Sequence, residues 1–483
     1  MIGRKARSAG VLAIGRASEV AFPLLRAILL TRLLPKDQFG LAITLSVMAA
    51  LVELSTDIGL DRYAIVRKIP DSELGRGTMH ALSVLRGAII GLFLCAIGPL
   101  VARAFDSPGQ WWAFSLLGLA SFIRGFMNLG IKEAMRDYRF WPEGVTVATS
   151  QIVWTIVSVG LAFAWHDYRC MIAGLLGAQV AFVLVSHTTV RTRWRLAWSP
   201  DEARTILQFS LPLVPNGISL ACRHMADRLI VGAFMSLGVA AVYNVNMMVA
   251  LMPRSMIQSF VTSVTLPVFA NHESGRRPVA NLYRGWAIAL AAIAAIYGLG
   301  VRCFGQPVTS LVFGSDFAID QSFFALAAIL VAIKILYGLP VPPALAVGDT
   351  GFILFGTAAA LGSPVLGMIS AWLNPSLDPF VAAMCVGEFV GLVWIGWRCM
   401  RRFGFTATDV WTALLVPLVA IAGTGAVLAT TSGSWSARIS MFVGASSLCL
   451  AGVYFALARA GIDWRILMRR KDTPSSRLVA ESL

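Results

Sequence analysis

The stretch Gly10–Leu34, GVLAIGRASEVAFPLLRAILLTRLL, is followed after Pro35-Lys36-Asp37-Gln38 by Phe39–Leu60, FGLAITLSVMAALVELSTDIGL. As helices, both runs reach across a hydrocarbon core, which takes roughly 20 apolar residues at about 1.5 Å each. Neither alternates apolar and polar residues as a membrane-barrel strand does. Backbone groups in lipid must find partners within their own segment, so the helix is the economical form. What marks the pair is charge inside apolar sequence: Arg16, Glu19, Arg26 and Arg32 in the first run, Glu53 and Asp57 in the second.

The pattern recurs along the chain. Further spans are read at Leu82–Phe105, Trp111–Gly130, Gly144–Trp165, Cys170–Val190, Ile206–Phe234 and Val239–Val261. Six more follow at Gly285–Gly305, Phe323–Leu339, Gly351–Leu373, Phe380–Met400, Trp411–Thr431 and Arg438–Ala458. Hydrophobic residues make up 57% of 483 and charged residues 13%, about half the charge of a soluble domain. The predicted fold class is therefore an all-α polytopic membrane protein of about 14 transmembrane helices. Pro340, Pro342 and Pro343 interrupt the pattern, and one span more or less fits between Cys303 and Pro343.

A net charge of +15 invites a nucleic-acid reading, which the distribution of the 40 Lys and Arg removes. With the N-terminus cytoplasmic, twenty-six fall in cytoplasmic segments, against five (Lys36, Arg103, Arg169, Arg302 and Arg438) on the opposite side. That is the positive-inside asymmetry, with both termini inside, and no nucleic-acid partner is expected. The first run is read as a retained helix rather than a cleavable signal. Seven scattered cysteines form neither a disulfide framework nor a metal pattern, and no Gly-Lys dipeptide exists for a phosphate-cradling loop. No cofactor, metal or catalytic residue is predicted, and the chain is read as a non-enzyme.

Charge within the spans is informative because a central Arg or Asp costs about 2.5 to 3.5 kcal/mol on insertion scales. Nine bases (Arg16, Arg26, Arg32, Arg86, Arg124, Arg223, Arg228, Arg254 and Lys334) face five acids, Glu19, Glu53, Asp57, Asp227 and Glu388. Arg16, Arg32, Arg86 and Lys334 lie within about two turns of a span end, where long side chains snorkel to the headgroups. Arg26, Arg124, Arg223, Arg228 and Arg254 lie deeper and are candidates for a polar internal cavity. Glu53 and Asp57 share a helix face at i, i+4; Asp227 adjoins Arg228 and follows Arg223 by four; Glu19 follows Arg16 by three. Ordinary ion pairing explains these acids first, and ion coupling or gating second. Glu388 has no basic neighbour in its span and is the cleaner candidate for a carboxyl neutral in part of a cycle.

The basic segment Arg191 to Arg204 divides the spans, giving a six-helix lobe (1–190), a basic cytoplasmic linker (191–204), a second six-helix lobe (205–402), an extra helix pair (403–460) and a basic cytoplasmic tail (461–483). Repeated lobes place a transport site at their interface near the bilayer midplane. Gly15-Arg16-Ala17-Ser18-Glu19 through Arg26 to Leu41 (RAILLTRLLPKDQFGL), with Asp57-Ile58-Gly59-Leu60 and Ile65-Val66-Arg67, resembles the opening of bacterial O-antigen and exopolysaccharide flippases of the multidrug, oligosaccharidyl-lipid and polysaccharide exporter superfamily. Asp227-Arg228-Leu229-Ile230-Val231-Gly232 and Val242-Tyr243-Asn244 resemble that family's seventh and eighth helices.

The resemblance implies two lobes around a central cavity in the bacterial inner membrane. By alternating access, an undecaprenyl-diphosphate-linked oligosaccharide would pass from the cytoplasmic to the periplasmic leaflet, with the lipid tail left in the bilayer. A polysaccharide polymerase and a chain-length protein would be its partners. Arg26, Arg124, Arg223, Arg228 and Arg254 would receive the diphosphate, because guanidinium forks suit phosphate oxygens. A peptidoglycan-precursor flippase of the same fold, a multidrug or cation antiporter, and a membrane polymerase or glycosyltransferase remain alternatives. An acid-rich cavity would favour the antiporter.

Overall fold

A computed structural model describes residues 2–66, 73–270, 276–339, 341, 344, 350–403 and 435–459. The expected span at Trp411–Thr431, the tail at 461–483, the prolines 340, 342 and 343, and the side chain of Arg16 lie outside what is described. The described residues are helical with short connections. The helices are α1 (Ile2–Leu33), α2 (Lys36–Ser55), α3 (Leu60–Val66), α4 (Glu73–Ala104), α5 (Trp111–Gly125), α6 (Gly130–Arg136), α7 (Trp141–Trp165), α8 (Arg169–Thr189) and α9 (Pro200–Ser210). They continue as α10 (Val214–Phe234), α11 (Leu237–Ala270), α12 (Arg276–Phe313), α13 (Gln321–Leu336), α14 (Thr350–Ala359), α15 (Gly362–Leu373), α16 (Leu377–Phe403) and α17 (Trp435–Arg459).

The chain is a polytopic helical membrane protein. Among the described residues eight helices are long and apolar enough to cross a membrane, or nine if the segment ending in α5 and α6, bent by 56°, counts as one broken span. Their outward faces carry exposed apolar side chains such as Leu92, Leu311 and Trp372, the arrangement lipid favours. Between helices, where lipid supplies no hydrophobic drive, small residues allow close packing. A Cβ on Gly118 of α5 would collide with the Gly91 carbonyl oxygen of α4.

Several predicted spans end or break earlier than hydropathy indicated. The second span stops at Ser55, because Asp57 Oδ1 accepts the Gly59 amide at 2.9 Å and Gly59 takes a left-handed φ of 72°. The fourth stops at Gly125, and Asn128 Oδ1 accepts the Gly130 amide at 3.0 Å. The seventh is preceded by α9, whose N-cap Ser199 accepts the Glu202 amide, and a 3-10 turn over Leu211–Leu213 separates α9 from α10. The eleventh divides into α14 and α15. Apolar content cannot register such breaks, since Asx and glycine turns interrupt the helix while leaving hydropathy intact.

Three apolar cores hold the helices. One joins Leu30, Phe39, Leu45, Phe114 and Leu117 to Phe313 and Phe317 from the second half of the chain. Another is built around Tyr243, Tyr283, Phe323, Phe324 and Phe380. A smaller one gathers α3, α6 and α9 through Leu60, Tyr63, Ile131 and Ile206, against Met79 and Phe182. It sits at the end of the bundle where the basic connections cluster, called here the basic end. At the opposite, far end α2 meets α11 so closely that a Cβ on Gly40 would fall on the Leu237 carbonyl. Phe39 packs edge-on to Phe317 at 5.8 Å, and Arg32 donates to the Val312 carbonyl at 3.3 Å. α2 also runs alongside α10, whose Gly217 abuts the Leu54 carbonyl near the basic end.

A side chain at position 40 cannot be accommodated, because the obstructing atom is backbone. Replacing Gly40 by Val will separate α2 from α11. In a cysteine-free background, the disulfide yield of a D37C/G238C pair is expected to fall severalfold when G40V is added; an unchanged yield would contradict the packing.

Candidate functional site

Spans that break before their charged residues fold those charges back into the protein. A cavity of about 490 Å³ opens among α1, α2, α4, α5, α7 and α8, with Met225 of α10 in its wall. Among the described residues three cations line it, Arg86, Arg124 and Lys132, with five carboxylates, Glu19, Glu53, Asp57, Asp61 and Glu143. Arg124 lies 3.6 Å from Glu53 and 3.3 Å over the Phe182 ring. Arg86 donates to the Glu53 carbonyl at 3.1 Å and to Thr56 Oγ1 at 3.2 Å. Toward the basic end Lys132 is buried between Glu143 at 2.6 Å and Asp61 at 3.0 Å.

A second charged cluster lies in the other half of the chain. Glu388 of α16 is fully buried, held by Lys334 of α13 at 2.7 Å and by Arg223 of α10 at 3.3 Å. Arg223 also stacks on Tyr337 at 4.0 Å, and the Tyr337 hydroxyl donates to the Glu388 carbonyl at 3.3 Å. Arg254 lies within electrostatic reach of Arg223 and Glu388. Glu388 thus has two cationic partners, contrary to its isolation in sequence. Lys334 is no snorkelling residue, since it is 4% exposed and points inward.

Of the five arginines expected to receive an anion, Arg124 alone is in the wall of the 490 Å³ cavity. Arg26 stacks on Trp154 at 4.0 Å and donates to Thr155 at 3.4 Å, so it fastens α1 to α7. Arg223 and Arg254 belong to the Glu388 cluster. Arg228 is half-buried on α10 beside Asp227. Asp227 accepts a hydrogen bond from Tyr243 at 2.8 Å rather than pairing with Arg223, and its other oxygen, Oδ1, is buried without a hydrogen-bond partner among the described residues. Among the acids, Glu19, Glu53 and Asp57 do share the cavity, although Asp57 sits beyond the helix end.

Sequence reasoning sent Arg86 to the headgroups and missed Asp61, Lys132 and Glu143. Their signal was present in Asp57-Ile58-Gly59 and Asn128-Leu129-Gly130, turn chemistry that returns the chain before it leaves the bundle. The embedded balance, basic by count over the sequence, is acid-rich among the described residues that line this cavity. The excess arginines are used on aromatic faces and carbonyls elsewhere.

The family model described as "Polysaccharide biosynthesis protein" matches residues 29–319, more than half of the chain. The chain belongs to the polysaccharide biosynthesis protein family. Family membership makes it a membrane transporter rather than an enzyme. It is similar to the succinoglycan biosynthesis transport protein ExoT of Rhizobium meliloti (strain 1021), at 21% identity over 77% of this chain and 75% of that one. It is also similar to the lipopolysaccharide biosynthesis protein WzxC of Escherichia coli (strain K12), at 22% identity over 62% of each. The fold is like that of the lipid II flippase MurJ in an inward closed conformation, with a TM-score of 0.71 and 11% identity over 92% of this chain and 99% of that one. A multidrug transporter of the MATE family, inward-facing, aligns with a TM-score of 0.57 and 15% identity over 79% of this chain and 94% of that one.

Removing one partner from a buried ion pair strands the other and costs about 3 to 5 kcal/mol. Lys334→Met is expected to destabilise the protein within that range and to cost clearly less when Glu388→Leu is already present, with Arg223 then left without its carboxylate. Unfolding of the two single variants and the double variant in one detergent measures the coupling. Additive losses would show that the pair does not act as a unit.

Proposed function

We propose that the chain flips undecaprenyl-diphosphate-linked oligosaccharide repeat units from the cytoplasmic to the periplasmic leaflet of a bacterial inner membrane, ahead of polymerisation. The observation that carries this reading is the pair of guanidinium groups, Arg86 and Arg124, in the wall of an internal cavity otherwise rich in carboxylates. A diphosphate entering the cavity draws Arg124 from Glu53, a long contact at 3.6 Å that exchanges readily. The same carboxylate reclaims the arginine when the substrate leaves, which keeps a fixed cation from trapping the anion. In this reading the basic end and both termini are cytoplasmic, fourteen spans form two six-helix lobes and a terminal pair, and the far-end contact opens in the outward state.

The membrane potential assists export. With the inside negative, a head of charge about −2 gains roughly 4 to 5 kcal/mol at 100 mV. Asp227 is the better candidate for a coupling carboxyl than Glu388. It has one hydroxyl donor and an unpartnered oxygen, whereas Glu388 is clamped by two cations. The acid-rich cavity leaves cation antiport open on charge alone, and the polysaccharide-biosynthesis family match favours the glycan.

Deleting the gene is expected to abolish surface polysaccharide while the cells remain viable, with lipid-linked repeat units accumulating. Arg124→Ala should restore less than about a tenth of the polysaccharide at normal protein level. Loss of viability with polysaccharide intact would assign the chain to peptidoglycan precursors. Asp227→Asn should remove the dependence of flipping on the proton gradient; retained dependence would exclude Asp227 as the coupling group.

A further inference from the structure

The segment 190–199 between α8 and α9 has no regular secondary structure, yet it is fixed in place residue by residue. Asn128 Nδ2 donates to the Thr192 carbonyl at 2.9 Å, the His80 ring lies 3.3 Å from the Arg195 carbonyl, and the Ser199 amide donates to Thr78 at 3.1 Å. Trp194 is inserted among His80, His187 and Phe126, with ring centroids 5.7, 5.9 and 6.0 Å away. Ala197 lies against Gly77 of α4. An extended chain sends alternate side chains to opposite faces. With Thr192 and Trp194 turned inward, Arg191, Arg193 and Arg195 form an exposed row.

This row borders a second cavity of about 330 Å³, which Arg76 of α4 also lines. Among the described residues Glu73 is the one carboxylate in its wall, 2.7 Å from Arg195, and Arg76 is engaged with Glu133 at 3.3 Å. The described ion pairs include neither Arg191 nor Arg193. Immediately after the row, Leu196 and Trp198 are each more than half exposed. An arginine row beside an exposed Trp and Leu, at the level of the helix ends, is the composition of a headgroup interface.

We propose that Arg191 and Arg193, backed by Arg76 and Arg195, form a binding site for the phosphate group of an anionic phospholipid, with Leu196 and Trp198 against its acyl region. The site is separate from the translocation cavity. Orientation during insertion needs only the number of positive charges; this site needs their placement. Because the backbone is already pinned, little ordering is required on binding, which favours a specific lipid over diffuse attraction.

The test uses the full-length protein in detergent micelles doped with phosphatidylglycerol or phosphatidylcholine, with retained lipid counted by native mass spectrometry. Wild type should retain phosphatidylglycerol in preference. R191Q/R193Q should weaken that retention roughly 10- to 30-fold, at about 1 kcal/mol per basic residue. R62Q, which removes an exposed charge from α3 at the same end, should leave it unchanged. Equal retention of both lipids by wild type, or equal losses in R62Q and the double variant, would overturn the proposal. So would a thermal shift by inorganic pyrophosphate in phosphatidylcholine micelles that R191Q/R193Q abolishes without any phosphatidylglycerol preference, since that marks a soluble-phosphate site.

Discussion

A charge inside the hydrocarbon layer must find its partner within the protein, and this requirement organises the molecule more than any apolar contact does. Glu388 joins three helices because Lys334 and Arg223 reach it from α13 and α10. Lys132 draws the short α3 and α6 together with the start of α7 by bridging Asp61 and Glu143. Arg26 fixes α1 to α7 through an aromatic face. Apolar surfaces can slide over one another in lipid at little cost, whereas these clusters specify which helices meet and at what depth.

The two halves of the chain use that constraint differently. The cluster around Glu388 is closed and fully engaged, suited to holding a rigid body together. The cavity around Arg124 is open, with a long Arg124–Glu53 contact of 3.6 Å and, among the described residues, more carboxylates than cations, suited to exchanging partners. Between them α2 and α10 lie side by side, and the far end is shut by backbone contact at Gly40 and by the Phe39–Phe317 pair. In the proposed cycle, contacts of this kind at the far end would part more readily than an ion-paired cluster would.

Much of the fold was legible because hydropathy reports burial in lipid directly. The long helices α4, α7, α8 and α16 lie where apolar runs placed them. Breaks were not legible from hydropathy, since the turns at Asp57-Ile58-Gly59 and Asn128-Leu129-Gly130 barely change it. For the candidate site, depth along a span picked out Arg124, which lines the cavity, but misassigned Lys334 and Arg86, which sit near span ends yet turn inward. Depth measures distance from water along the membrane normal and carries no information on which way around the helix a side chain points. Arg26 shows the converse, a deep arginine satisfied by Trp154 rather than by the cavity.

In the proposed cycle the far-end seam opens as the basic end closes. Distances between spin labels at Lys36 and Ser315, across the far end, and between labels at Arg62 and Arg401, toward the basic end, test it most directly in liposomes by double electron–electron resonance. Adding a lipid-linked oligosaccharide under a membrane potential should produce a second population in which the first distance is longer and the second shorter. Two distances that stay fixed while substrate is being flipped would rule out this cycle.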